Sequence, residues 1–405
     1  MPDKKKTSPG ASKNPSRRRR TSSGGLQRRP TGPTPTSAYA VHPIHPIRGI
    51  PRSAPTRKKP SSHAVSPAVD TDTTTSEDSL GLGVDKKLSK KERQTVIRRN
   101  VRHWVDHAFQ KGVDGLVAEF SKLASTQTPS RAEIGAFLEN SQSGRNRFND
   151  VPCLDTSRVV LNAANDYIHA NYVGTPVSER RFICTQAPLE TTAADFWHMV
   201  VQEDVEHIVM LCDFVERSVS KSTHYFPQKP GETVSFLDFE VTNRDVRKMA
   251  VFESESPIVQ TELRVRSSMG TAEVTHFQWS GFPDHSVPPI NGALLALLRN
   301  VRGSLKPIVI HCSAGIGRSG VAIAVEFLQE RFNSGHVTES AKFLVPKLRA
   351  QRALCIQTEA QYLYVHRIML LYFSKKKLLE KTDAFKKFCS DYDAYVENLH
   401  KSKVQ

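Results

Sequence analysis

A chain of 405 residues has room for two or three average domains, but its hydrophobic share of 38% and mean hydropathy of −0.43 are low for that length. The formal net charge of +16 gathers at one end, where residues 1–60 hold about 15 Lys and Arg against one acidic residue. No apolar run approaches the ~20 residues of a membrane span, and the first residues lack the apolar segment of a signal peptide. Pro2 stands where myristoylation needs glycine. Cys153, Cys184, Cys212, Cys312, Cys355 and Cys389 are scattered without a C-x-x-C, so a reducing, cytoplasmic compartment is expected rather than disulfides or zinc.

Residues 1–85 read as a disordered basic tail rich in Pro and Ser, because such a composition cannot offset the entropy of ordering. Its clusters "SRRRR" and "TRKKP" suit a solvated tail, an acidic partner such as nucleic acid, an anionic membrane, or the nuclear import machinery. A helix is predicted from about 86 to 126, where "VIRRNVRHWVDHAF" spaces its apolar residues three and four apart. "SRAEIGAFLEN" reads as a second short helix capped by Ser130. From about 150 come short β-rich pieces: "VVLN", "RFICTQAP", "HIVMLCDF", "SFLDFEVTN", "TELRVRSS", "EVTHFQWSGF" and "PIVIHC". Helical patterns alternate with them and follow them: "TTAADFWHMVVQ", "GALLALLRNVRG", "GVAIAVEFLQERF", "TESAKFLVPKLRAQ" and "TEAQYLYVHRIMLLYFSKK". A catalytic domain over 86–375 is expected, followed by a charged helical extension over 376–405.

"HCSAGIGRSG", residues 311–320, places a thiol and a glycine-rich loop between a buried strand and an apolar helix. The first N–H groups of such a helix have no partner within it and attract anions. Gly315 and Gly317 allow positive φ and close backbone approach, so successive N–H groups can form a nest. Arg318 adds a planar fork suited to two phosphate oxygens. The same positive surroundings favour the thiolate of Cys312. Most cysteines are inert buried thiols, but strand, His, Cys, two glycines, Arg, Ser and helix in this order point to phosphoryl transfer onto sulfur.

This loop resembles the signature of the cysteine-dependent protein tyrosine phosphatases, of the non-receptor type with one catalytic domain. "NDYIHANYV", "TQAPLETTAADFWHMV", "IVMLCDFVE" and "QTEAQYLYVH" resemble further segments of that family, over about 110–372. The resemblance implies an α/β (α+β) fold, a highly twisted mixed sheet flanked by helices. It implies Cys312 as nucleophile, Arg318 as phosphate ligand, and His311 as keeper of the cysteine's surroundings. Ser319 becomes the hydroxyl that bonds the thiolate, and Ser313, Ala314, Gly315, Ile316 and Gly317 the backbone cradle. "GFPDHSVP" resembles the mobile loop whose general acid is Asp284. Gln357 and Gln361 match the glutamines around the hydrolytic water, Glu216 the carboxylate that orients the arginine, and Lys221 the lysine that meets the acid loop. "RNRFNDVPCLDTSRVVL" resembles the phosphotyrosine-recognition loop, with Phe148 flanking the substrate ring and Asp150 bonding the substrate backbone.

Four positions depart from the family pattern. Phe282 and Ser286 replace a Trp and a Gly in the acid loop, which bears on its closure. Phe148 keeps an aromatic wall without a hydroxyl, and Leu354 stands where many members have Gly, narrowing any second phosphotyrosine pocket. The implied activity is hydrolysis of phosphotyrosine in proteins, with no metal and no cofactor. The alternatives are a phosphotyrosine-binding pseudophosphatase and, less favoured, a phosphatase for phosphoserine or lipid.

Overall fold

The computed structural model describes residues 89–125, 128–251, 256–334 and 341–402. The basic tail and both of its charge clusters lie outside these residues.

Helix α1 (Lys90–Ser125) opens the described chain, and Gly112, at φ 62, breaks it into two rods. The short helix expected next divides in two. A 3-10 turn over Arg131–Glu133 has the Ser130 N–H donating to the Glu133 carboxylate, and α2 (Gly135–Glu139) follows. Strands β1 (Arg158–Val160), β2 (Tyr167–Val173) and β3 (Phe182–Thr185) lead to α3 (Ala193–Gln202). After β4 (His207–Met210) come the small hairpin β5 (Val215–Glu216) and β6 (Val219–Ser220), then β7 (Thr233–Phe236), β8 (Phe239–Met249), β9 (Ile258–Ser267) and β10 (Gly270–Gln278). Helix α4 (Ala293–Val301), β11 (Ile308–His311), α5 (Arg318–Ser334), α6 (Leu344–Arg349), α7 (Glu359–Lys375) and α8 (Asp383–Lys401) complete it. The helix expected over "TESAKFLVPKLRAQ" is shorter than its pattern, being a 3-10 turn at Ala341–Phe343 and then α6. "NDYIHANYV", not predicted as a strand, supplies β2.

Nine strands form one mixed sheet in the order β1-β2-β3-β11-β4-β10-β9-β8-β7. Neighbours β3, β11, β4 and β10 run parallel, and the outer pairs run antiparallel. Strand β11 is buried on both faces, which is why its sequence is a continuous apolar run rather than an alternation. Ile308 and Ile310 face a core shared with α1, α4, α5, α7 and α8, while Val309 faces a second core built on α3.

The register places the site. His311 pairs with Thr185 on one side and Met210 on the other, and Met210 pairs with Gln278. These are the last residues of the four parallel strands. Four loops therefore leave the same edge side by side, where ligands bind in sheets of this kind.

Candidate active site

The loop after β11 is tied outward through its carbonyls. The Ala187 N–H donates to Ser313 O at 2.9 Å, and the Ile356 N–H to Ile316 O at 2.9 Å. Arg352 donates to Ala314 O at 3.0 Å and, through Nε, to Gly315 O at 3.1 Å. Each peptide is planar and trans, so carbonyls fixed to the protein leave the amides aimed the other way, over Cys312. Gly315 has φ 69, and a Cβ there would lie 2.1 Å from Thr185 O. Gly317 does not share the left-handed conformation expected of it. Glycine is needed there because a Cβ would lie 2.8 Å from Gln357 Oε1 and 2.9 Å from Gln361 Nε2.

Arg352 is the residue that sequence reasoning missed. It is fully buried and donates also to Asn171 Oδ1 at 2.8 Å and His169 Nδ1 at 3.2 Å. His169 in turn donates from Nε2 to Val151 O at 2.8 Å, so it is neutral. Burial first, and the Arg352 charge second, push its pKa down to about 3. A guanidinium buried under the loop among neutral acceptors is costly unless its donors are met, and they are met here by the loop's own carbonyls. The signal was present in "IHANY", where two polar residues sit inside a buried strand.

His311 anchors Cys312 from behind. Its Nδ1 is 3.1 Å from Cys312 O, which can only accept, so the proton is on Nδ1. Its Nε2 then accepts from Tyr225 Oη at 2.7 Å, and Tyr225 Oη accepts from His276 Nε2 at 2.7 Å. One tautomer follows for the whole row, and burial keeps it neutral by pushing His311 down to about 4 and His276 well below its ordinary value.

Arg318 opens α5 and is 1% exposed. Its Nη1 donates to Glu216 Oε1 at 2.5 Å and to the Phe282 carbonyl at 3.2 Å, and its Nη2 lies 3.1 Å from Asp284 Oδ1. Lys221 Nζ meets the other Asp284 oxygen at 2.7 Å. Glu216 and Lys221 are set by the β5–β6 hairpin, whose turn residues Arg217 and Ser218 are both left-handed, at φ 49 and 63. Burial raises the Asp284 carboxyl, but Arg318, the Lys221 bond and His285 outweigh it and hold it below the usual carboxylate range. The loop that carries Asp284 is thus seated on the loop that carries Cys312, with Phe282 fully buried between Trp279 and Tyr364 at ring distances of 6.0 and 5.8 Å.

A model of the protein-tyrosine phosphatase family matches residues 142–371, more than half of the chain. This chain belongs to the protein-tyrosine phosphatase family. It is 36% identical over 235 residues to the tyrosine-protein phosphatase Lar-like of Caenorhabditis elegans, covering 56% of this chain and 10% of that protein. It is 31% identical over 308 residues to tyrosine-protein phosphatase non-receptor type 9 of Rattus norvegicus, covering 69% of this chain and 50% of that protein. It therefore spans a tenth to a half of the length of these relatives. The catalytic domain of human protein tyrosine phosphatase non-receptor type 18 superposes with a TM-score of 0.60 at 26% identity, over 69% of this chain and 99% of that one.

The remaining residues named from the phosphatase resemblance fall at differing depths. Ser319 Oγ and Arg318 Nε are buried without a hydrogen-bond partner; the bond expected from Ser319 to the Cys312 sulfur is not formed in this state. Ser313 Oγ donates to Lys221 O at 3.3 Å and joins two of the loops. Gln357 and Gln361 both reach Gly317, but Gln361 Oε1 also accepts the Gln357 N–H at 2.9 Å and the Thr358 N–H at 3.3 Å, the second of which caps α7. Phe148 is 37% exposed and Asp150 exposed. Arg147 beside them donates to Ala187 O and Pro188 O, which ties this rim to the segment that holds Ser313. Leu354 adopts φ 60, which explains a preference for glycine there, and its side chain packs on the small cluster of Ile134, Phe137 and Leu154.

Proposed function

We propose that this protein hydrolyses phosphotyrosine in other proteins through a phosphocysteine intermediate. One observation carries the reading: Cys312 opens a loop whose carbonyls are anchored outward, and Arg318 at the end of that loop holds Asp284, Nη2 to Oδ1, at 3.1 Å. The Cys312 thiolate attacks phosphorus in line, forming the S–P bond as the bond to the tyrosyl oxygen breaks. Loop N–H groups and Arg318 hold the equatorial oxygens. Asp284 gives its proton to the leaving oxygen. Water positioned by Gln357 then attacks, Asp284 takes its proton, and Ser319 receives the returning thiolate. His311 holds the Cys312 carbonyl throughout, and Glu216 and Lys221 support Arg318 and Asp284.

The free protein keeps Asp284 ionised by pairing it with Arg318 and Lys221. A phosphate dianion competes for Arg318 and brings negative charge beside the carboxyl, and both effects raise its pKa. The acid is thereby loaded by its own substrate. Phe148 and Asp150 at the rim favour a phenyl ring that spans the depth of the cleft over a shorter phosphoserine stem. Tyrosine-phosphorylated proteins are the substrate class; a related structure of the type 18 phosphatase is a complex with HER2 phosphopeptides, at 28% identity and a TM-score of 0.57. A tail over 1–85 and an extension over 376–405 flank the catalytic region in this reading, and the cytoplasm is its compartment. Among the described residues no helix is long and apolar enough to cross a membrane. The pseudophosphatase reading rested on Phe282 and Ser286, yet the acid loop is seated with both side chains buried.

Cys312→Ser decides between the readings. It should lose turnover of an aryl phosphate and keep binding to a phosphotyrosine peptide, measured by calorimetry, while Arg318→Met loses both. Absence of turnover in the unaltered protein, with peptide binding intact, would establish the pseudophosphatase instead.

A further inference from the structure

Helix α8 lies beyond the segment matched by the family model. Phe385, Phe388, Tyr392, Tyr395 and Leu399 recur at spacings of three and four and pack into the main core, with Phe109 of α1 5.9 Å from Phe388. This stripe carries the end of the helix onto the acid loop. His400 Nε2 lies 3.0 Å from Ser286 Oγ, two residues after Asp284. Ser286 is 5% exposed, so its hydroxyl has little access to water as an alternative partner. A cleft of about 280 Å³ here is lined by Val287, Pro288 and Pro289 of the loop's outgoing limb and by Tyr392, Val396 and His400 of the helix. The helix thus meets the outgoing limb of the acid loop, and His400 and Ser286 supply a polar contact between them. Ser286 is also one of the positions where the chain departs from the family's glycine, and a glycine could not make this bond.

We propose that His400 is a positioning residue for the general acid, with α8 latching the acid loop in its seated state through the His400–Ser286 hydrogen bond. The latch acts on where Asp284 sits and touches neither substrate nor phosphorus. Its catalytic consequence rests on the phosphatase reading above, whereas its mechanical consequence does not. A single hydrogen bond of this kind shifts the seated fraction by roughly two- to tenfold.

The experiment compares the full chain with His400→Ala, Ser286→Ala, the double variant and His400→Gln, whose amide can replace Nε2. Hydrogen exchange is read at the amides of 280–290, with β8 as internal reference. Exchange in the loop should quicken two- to tenfold in each single variant, no further in the double variant, and return toward the original rate in His400→Gln. On substrates, kcat for phenyl phosphate should fall by a similar factor, kcat for nitrophenyl phosphate, which needs little protonation, should hold, and KM should stay. Unchanged loop exchange in His400→Ala, or additive effects in the double variant, would overturn the latch. A fall equal for both esters would overturn the positioning role. If the unaltered protein turned over neither ester, the phosphatase reading would fall, and the exchange rates alone would still decide the latch.

Discussion

The two loops that meet over Cys312 are held by different kinds of bond. The nucleophile loop is fixed through its backbone, by Ala187, Ile356 and the buried Arg352, and by a glycine with no room for a methyl group. The acid loop is fixed by side chains: the Phe282 plug, the Asp284 ion pairs and the Ser286–His400 contact. Backbone bonds in a buried setting give one geometry. Ion pairs and single side chains can exchange partners, which suits the role proposed for Asp284, to deliver a proton and withdraw. In the proposed mechanism the anion nest is thus preorganised, and the acid is poised.

Breaking the preorganised half should have the largest effect. Gly315→Ala forces a Cβ against Thr185 O at a left-handed position, and should remove aryl phosphate turnover and lower stability by at least about 2 kcal/mol in urea unfolding. A variant of unaltered stability would show that the loop is looser than its bonds imply. Asp284→Asn comes next. It should cost about 10²–10⁴-fold in kcat, more for a peptide phosphotyrosine than for nitrophenyl phosphate, and flatten the alkaline limb of a bell-shaped pH profile while leaving the acid limb. An unchanged profile would assign the acid elsewhere.

Smaller effects sharpen the contrast. Phe282→Trp restores the family's residue, but Phe282, Trp279 and Tyr364 are each almost wholly buried, so the larger ring overfills the socket. A destabilisation of about 1–3 kcal/mol is expected, with no gain in kcat; a gain would mean that the socket yields. Lys221→Met removes a cation that holds Asp284 ionised. The carboxyl then keeps its proton to higher pH, and the alkaline limb of kcat/KM should move upward. A downward shift would contradict the pairing.

Much of the site was legible in local sequence because its chemistry is local. A strand, a cysteine, two glycines and an arginine within ten residues already specify an anion nest with a nucleophile in it. The β-rich run from about 150 and the long amphipathic helices were legible for the same reason, since a periodicity of two or of three to four residues is written along the chain. Strand β2 was harder to read, because a strand buried on both faces at its middle and carrying His169 and Asn171 shows no alternation.

What the sequence by itself determined is a thiol set in a loop suited to an oxyanion, together with the helices and strands that frame it. The tertiary structure alone decided that the four loops share one edge, because strand order in a sheet is set by crossovers that no local pattern records. It also decided that Arg352, 40 residues beyond Cys312, lies under the nest, and that His400 reaches Ser286 from the far end of the chain. Both contacts depend on packing between segments remote in sequence, where a side chain's partner is chosen by the fold and not by its neighbours.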